Sequence, residues 1–526
     1  MIRLLPILFI LVLSACSSCS EDNGEINKTE NPPTLDYSLI QYRGRVEFGA
    51  GHLCSFSTPG SSIKVKFTGT SLYATFSAEN FGGNGYSYLY IITDENADPY
   101  SRQIIRVEKA EQEYTIFKDL SEGEHTVEIV KQNECWGVVH FKDFRIPDGE
   151  LLPLPAKKTR LIEYYGDSNP SGWSAWNDKD QGSDADTEGY FTYPGFTARS
   201  LEAEWVNNAA GGFGITDRMG SQDLTDYYNK IHIYTNSPNS NSWDFNINNL
   251  GKKPDVIVIN LGANDYYNNA SQSEIKAAWH RFVSTQLRPV YPDAHVVLAN
   301  SYGWAYGEPT DYIADVVQEF HSKGDNNISF VKFPWLWGQD HAVISEHAGF
   351  ASILSKHLAN TMGWEAKTVP YSSIPEEKGV LGNPSFESSI LGIRPDGWRP
   401  DQNKSSARWV ENAGEAKEGN AFVRCSQGYG VHQSVDAQAN EQFEVKVWAK
   451  ASSGSQGILK YQFRDQAQNT IYSKIKPIPL TDEWQQFEIT TEKATSGTWQ
   501  LDVILLAEHN ATVDYDLIEM NKIDIP

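Results

Sequence analysis

Leu161-Ile162-Glu163-Tyr164-Tyr165-Gly166-Asp167-Ser168 is a short apolar run that stops on a Gly-Asp-Ser turn. It reads as a buried strand, and a Ser exposed by a turn at the carboxyl end of a parallel strand is where open α/β folds put their chemistry. Gly-Asp-Ser is also an ordinary turn tripeptide, so its meaning rests on what ends the later strands. A second apolar segment over 203–210 runs into Gly211-Gly212-Phe213-Gly214, where a glycine lets a backbone N–H approach a ligand closely. Pro254-Asp255-Val256-Ile257-Val258-Ile259-Asn260-Leu261 is a continuous β-branched run of the buried parallel type and ends on Gly262-Ala263-Asn264-Asp265. His341-Ala342-Val343-Ile344-Ser345-Glu346-His347 opens a late helix. A hydroxyl, a glycine amide, an asparagine side chain and a late histidine are the parts of an esterase.

The spaces between these runs are helical. Ile275, Ala278, Trp279 and Phe282 form an apolar stripe at helical spacing, and further helices are predicted over 311–320 and 345–361, with strands over 295–299 and 328–333. Strands separated by helices mean a parallel sheet covered on both faces. His280, His321 and His357 fall on those helices and read as surface or capping residues.

The ordered blocks resemble the SGNH/GDSL hydrolase superfamily. The surrounding text is most similar to carbohydrate esterase family 2, through the strand ending at Ser168, the aromatic helix Tyr190-Phe191-Thr192-Tyr193-Pro194-Gly195-Phe196 and two histidines six residues apart. The resemblance runs from about Tyr42 to Gly363. It implies a central α/β/α hydrolase with a parallel sheet and an N-terminal β-sandwich that abuts the cleft. It also implies a cofactor-free serine mechanism, with Ser168 as nucleophile and His341, the first of the pair, as base. The oxyanion hole would come from the amides of Ser168 and Gly212 and the side-chain amide of Asn264. The chain departs from the superfamily where an Asp usually stands two or three residues before the histidine. Gly338 and Gln339 occupy those positions, with Asp340 directly adjacent to His341, so a triad through Asp340 and a Ser-His dyad both stay open.

The activity implied is removal of O-acetyl groups from plant cell-wall polysaccharide, xylan or mannan. Two alternatives stand beside it: a surface glycan-binding lipoprotein with a degenerate hydrolase domain, and an esterase for another acyl group. Trp173, Trp176, Trp304, Trp335 and Trp337 lie in loops near the blocks. Aromatic faces suit flat sugar rings, and Trp173, Trp304, Trp335 and Trp337 are the substrate-binding candidates, although some of the five are expected to pack under loops instead. Asp178, Asp180, Asp184, Asp186 and Glu188 form an acidic loop that lacks the Asp-x-Asp-x-Asp-Gly spacing of a Ca²⁺ site. It reads as solvated, and no metal site is expected.

At 526 residues the chain has room for about three domains. Residues 1–35 read as a lipoprotein signal peptide and tether: an apolar run of about a dozen residues, too short to span a bilayer, is followed by Leu13-Ser14-Ala15-Cys16, which resembles a lipobox cleaved before Cys16. An exported, lipid-anchored protein at the outer membrane or cell surface is the expectation. Residues 36–150 alternate in the two-residue period of a β-sandwich with one wet face per sheet. The hydrolase occupies 151–368, and a Pro- and Ser-containing linker spans 369–376.

Residues 377–526 return to two-residue alternation and resemble a jelly-roll carbohydrate-binding module, in which Trp409, Tyr429 and Gln433 are the candidate glycan contacts. Cys54 and Cys135 can pair in an oxidising compartment. The net charge of −24 with no basic cluster excludes nucleic acid as a partner, because phosphate binding needs Lys and Arg to replace counterions.

Overall fold

Five runs of apolar and β-branched residues build the central sheet: β1 (Arg160–Gly166), β2 (Ala203–Ala209), β3 (Val256–Asn260), β4 (His295–Ala299) and β5 (Ile328–Val331). They pair in the order β2-β1-β3-β4-β5, and every pairing is parallel. All residues of β3 and β4 are buried, which is why those strands read as unbroken apolar runs. Alternate residues serve opposite faces. Ile162, Tyr164, Val256, Val258 and Val297 share one core with residues of α2 (Tyr193–Ser200) and α6 (Ile344–Met362). Tyr165, Ile257, Ile259, Val296 and Leu298 share another with α4 (Gln272–Arg281) and α5 (Tyr312–Ser322). The chain leaves β1 for β2 on one side and returns to β3 on the other. The reversal between β1 and β3 is a topological switch point, at whose carboxyl edge open sheets bind ligands.

The computed structural model describes residues 35–523 except 50, 81–85, 178–181, 234–241, 247, 301–311, 335–340, 376–379, 402–406, 452–454 and 466–467. The leader with Cys16 therefore lies outside the described residues, as do Trp304, Trp335, Trp337 and Asp340.

Ahead of the sheet stands the N-terminal β-sandwich, one sheet ordered around Ser62–Thr68 and Glu124–Lys131, the other around Gly137–Arg145 and Leu72–Asn80. It is keyed into the parallel-sheet domain by a buried ion pair. Arg45 Nη2 lies 2.5 Å from Glu163 Oε1 on β1, and Arg45 Nη1 donates to the carbonyls of Tyr228 and Lys230. Glu163 is the one charged residue of β1 on a buried face, and without Arg45 it would be an uncompensated buried carboxylate, at a cost of about 3–5 kcal/mol.

The C-terminal sandwich follows, with two five-stranded antiparallel sheets. Phe443–Ala451 alternates buried and half-buried at every step, the signature of one face in the core. Before it, Val369 is buried and Tyr371 and Ile374 pack on the core that the central sheet shares with α2 and α6.

The expected Cys54–Cys135 pairing does not form, and both are free buried thiols. The reason lies in their layers. Cys54 sits on His52–Phe56, opposite Phe141 and Phe48 within the sandwich, whereas Cys135 packs with Ala210 and Phe213 in the core beside the central sheet.

Candidate active site

β1 ends in the turn that creates the site. Asp167 caps the four-residue helix α1 (Ser168–Ser171): its Oδ1 accepts from the Asn169 N–H and from Asn169 Nδ2, both at 2.9 Å. Gly166 is required by space, since a Cβ there would lie 2.2 Å from Pro170 Cγ. Ser168 thus stands at the first helical position, 7% exposed, at the carboxyl end of β1. Its Oγ is 2.8 Å from His341 Nε2. His341 lies three residues before α6, in a stretch without regular backbone structure. His347, in the first turns of that helix, is buried and accepts the Tyr193 N–H at 3.4 Å. Burial pushes its pKa down to about 3, so it stays neutral. Of the two histidines six residues apart, the structure brings the first to the serine.

Gly212 follows β2 with φ +77°. The amides of Ser168 and Gly212 donate to no acceptor among the described residues. Asn264 begins α3 (Ala263–Tyr267) after β3, and its Nδ2 donates one proton to the Phe213 carbonyl at 2.8 Å. A side-chain amide has two protons, so the second is left for a ligand. Because β2, β1 and β3 are neighbours, the three donors sit on adjacent loops of one sheet edge.

Two further residues around the site are not singled out by sequence reasoning. Asp265 is fully buried and accepts the Ile215 N–H at 3.0 Å, the Thr216 N–H at 2.8 Å and the Thr216 hydroxyl at 2.6 Å. It therefore fixes the loop carrying Gly212. Its signal was present in the Gly262-Ala263-Asn264-Asp265 block, read only for its asparagine. Glu134 comes from the N-terminal sandwich, accepts from the Ser171 hydroxyl and from Trp136 Nε1, and crowds Gly211, where a Cβ would lie 2.5 Å from Oε2. Burial raises its pKa, against the pull of Ser171 and Trp136. No local pattern marks Glu134, because Ser171 and Gly211, which tie it to the site, belong to another domain.

Asp167 is under electrostatic tension at this edge. Its Oδ2 is buried without a hydrogen-bond partner, and burial pushes its pKa up to about 7 despite the hydrogen bonds from Asn169.

Trp173 is half-buried one turn beyond Ser168, its N–H donating to the Ser168 carbonyl at 3.1 Å. Trp176 has its indole N–H on Glu188 at 2.9 Å and the Arg102 guanidinium 3.3 Å from its ring centroid, so protein already covers it. Asp340, Trp304, Trp335 and Trp337 cannot be assigned contacts, lying outside the described residues. Among the described residues no group of three His, Cys, Asp or Glu is arranged to hold a metal.

In the C-terminal sandwich the glycan expectation fails at Gln433. It is buried, accepts the Gly382 N–H at 2.6 Å and donates to the Gly382 and Gly397 carbonyls, so its amide is spent on joining loops. Trp409 is half-buried with its indole N–H on the Phe386 carbonyl at 2.7 Å. Tyr429 is half-buried, and its backbone accepts from Ala507.

Two family models match the chain: the carbohydrate esterase 2 N-terminal domain over residues 42–155 and the GDSL-like lipase/acylhydrolase family over residues 164–351. An acetylxylan esterase/glucomannan deacetylase of Cellvibrio japonicus is 26% identical over 373 residues, 69% of this chain and 99% of that protein. Cellulase/esterase CelE of Acetivibrio thermocellus is 29% identical over 351 residues, and the alignment spans 63% of this chain but only 40% of CelE. A solved family two carbohydrate esterase from Clostridium thermocellum in complex with cellohexaose superposes with a TM-score of 0.55 at 26% identity, covering 62% of this chain and 99% of that one.

Proposed function

We propose that the protein is a serine esterase removing O-acetyl groups from plant cell-wall polysaccharide, xylan or glucomannan, a reading supported by the pairing of a match to the carbohydrate esterase 2 N-terminal domain over residues 42–155 with a match to the GDSL-like lipase/acylhydrolase family over residues 164–351. The observation that carries the reading is the 2.8 Å contact between Ser168 Oγ and His341 Nε2 at the sheet's switch point. The amides of Ser168 and Gly212, which have no acceptor among the described residues, lie on adjacent loops of the same sheet edge. In the reactive tautomer Nε2 accepts the hydroxyl proton, so the ring proton sits on Nδ1. Oγ then attacks the acetyl carbonyl as Nε2 takes its proton, and the resulting oxyanion is met by the N–H groups of Ser168 and Gly212 and by Asn264 Nδ2. Each such donor is typically worth about 10²–10³ in rate. His341 returns the proton to the leaving sugar hydroxyl, the acyl-enzyme forms, and water activated by the same imidazole releases acetate. The polysaccharide specificity follows the Cellvibrio relative, whose name couples acetylxylan with glucomannan.

The leader reading adds a location. Lipid attachment at Cys16 would hold the enzyme at the outer membrane or cell surface, with Cys16→Ser expected to move it from the membrane to the soluble fraction; unchanged fractionation refutes the anchor. The activity itself is tested by acetate release from acetylated xylan and acetylated glucomannan, beside Ser168→Ala and His341→Ala. Release by the parent and its loss by orders of magnitude in both variants is expected. A parent as silent as its variants on both polymers refutes the proposal.

A further inference from the structure

The segment that carries His341 is held from outside the hydrolase fold. Arg399 opens the first strand of the C-terminal sandwich, Arg399–Asp401, and is 4% exposed. Its Nε donates to Glu346 Oε1 at 2.9 Å and its Nη2 to Glu346 Oε2 at 2.6 Å. Nη2 also donates to the main-chain carbonyl of His341 at 3.3 Å. Glu346 Oε2 in turn accepts the Val343 N–H at 2.9 Å. Guanidinium, carboxylate and two backbone groups thus close a ring around residues 341–346.

We propose that Arg399 is a positioning residue for His341, so that the C-terminal sandwich is a working part of the esterase site; the inference rests on the esterase reading above. The direction of an imidazole is set by the backbone that bears it. The Val343 carbonyl is tied by the Glu346 and His347 N–H groups, but those bonds lie beyond His341, whose own carbonyl is gripped by Arg399. A planar guanidinium presents five donors in a fixed fork and can span a carboxylate and a carbonyl together. The grip is rigid because the docking around it is close. The Ser373 N–H donates to the Ser345 carbonyl at 3.1 Å, Gly349 leaves room for Ile374, and Lys332 Nζ lies 5.5 Å from the Trp499 ring centroid. The matched family regions end at residue 351, so the contact is an addition to the hydrolase that this chain supplies from its own later residues.

A purely architectural ion pair would lower stability when broken and leave the folded enzyme's turnover alone. The test therefore compares the full-length parent with R399M/E346Q, which removes the guanidinium without stranding a buried carboxylate, and with R399K. Three quantities are read: thermal midpoint, kcat and KM for acetate release, and the rate at which a fluorophosphonate labels Ser168, which needs the Ser168–His341 pair but no ester substrate. Because small misplacements of a reacting group cost about 10²-fold, R399M/E346Q is expected to lose about 10- to 100-fold in kcat and in labelling rate, with KM within about twofold of the parent. R399K keeps the charge and is expected to recover part of both rates. Parent-like kcat and labelling in folded R399M/E346Q would overturn the inference. A parent that is labelled yet releases no acetate would remove the substrate reading alone, and the labelling comparison would still decide the role of Arg399. A parent that is not labelled would remove both.

Discussion

Replacing Asp265 by asparagine asks how the Gly212 loop is held. The native carboxylate accepts from two N–H groups and a hydroxyl, Oδ1 taking the Thr216 amide and hydroxyl while the Ile215 N–H lies 3.1 and 3.0 Å from its two oxygens. An asparagine keeps the acceptor on one side only. On the other its NH₂ would face the Ile215 N–H, donor against donor, in a site closed to water. Hydrogen bonds to a charged group contribute about 1.5–3 kcal/mol each, so losing one and weakening two costs about 3 kcal/mol. The loop relieves that conflict by moving Ile215 away, and Gly212 lies only three residues upstream. Misplacing one oxyanion donor costs about 10²–10³ in rate. For Asp265→Asn we expect kcat for acetate release to fall about 10²-fold with KM little changed, since the donor matters most when charge develops on oxygen. The assay is steady-state acetate release on acetylated xylan, with a thermal melt of the same sample. A lowered melting temperature with parent-like kcat would refute the positioning argument, leaving Asp265 a matter of fold alone.

Gly212→Ala is expected to cost about 1–2 kcal/mol for a non-glycine residue at φ +77°. Its Cβ would meet only the flexible Gln222 side chain, so a loop that relieves the strain by shifting the Gly212 amide should lose about tenfold in kcat with the fold intact; parent-like kcat would refute that shift. Asp167 gives a pH test. An acid whose folded-state pKa lies above its unfolded value loses stability as pH rises past the unfolded value, here 3.8, and the loss grows until the folded group ionises near pH 7. The stability of Asp167→Asn relative to the parent should therefore climb from about pH 4 to about pH 7 and level off above it; a pH-independent difference refutes the shift. Since Cys54, Cys135 and Cys425 are free thiols, excess dithiothreitol should leave the melting temperature unchanged, and a drop would restore the disulfide.

Much of the fold was legible because it is written in local pattern. The unbroken runs at 161–166 and 254–261 could only be strands buried on both faces, and the alternating runs could only be half-wet sandwich strands. The candidate site positions stood out for the same reason. Ser168, Gly212, Asn264 and His341 each sit at the end of a strand or just before a helix, where turn residues and glycines announce themselves within a few positions.

What stayed illegible depends on partners far apart in sequence. Glu134 in its loop and Arg399 in its strand look like any surface charge, and only the packing of the two sandwiches onto the parallel-sheet domain turns one toward Ser171 and the other onto Glu346 and the His341 carbonyl. Gln433 looked like a sugar contact because an amide suits one, until burial spent it on Gly382 and Gly397. Cys54 and Cys135 failed to pair for a similar reason: tertiary structure put them in different layers. The sequence alone therefore determined the elements, their order and the four candidate positions at the strand ends, because each is set by interactions within a few residues. Tertiary structure alone decided which distant charges hold those positions in place, because a buried charge is tolerated only where folding delivers its partner.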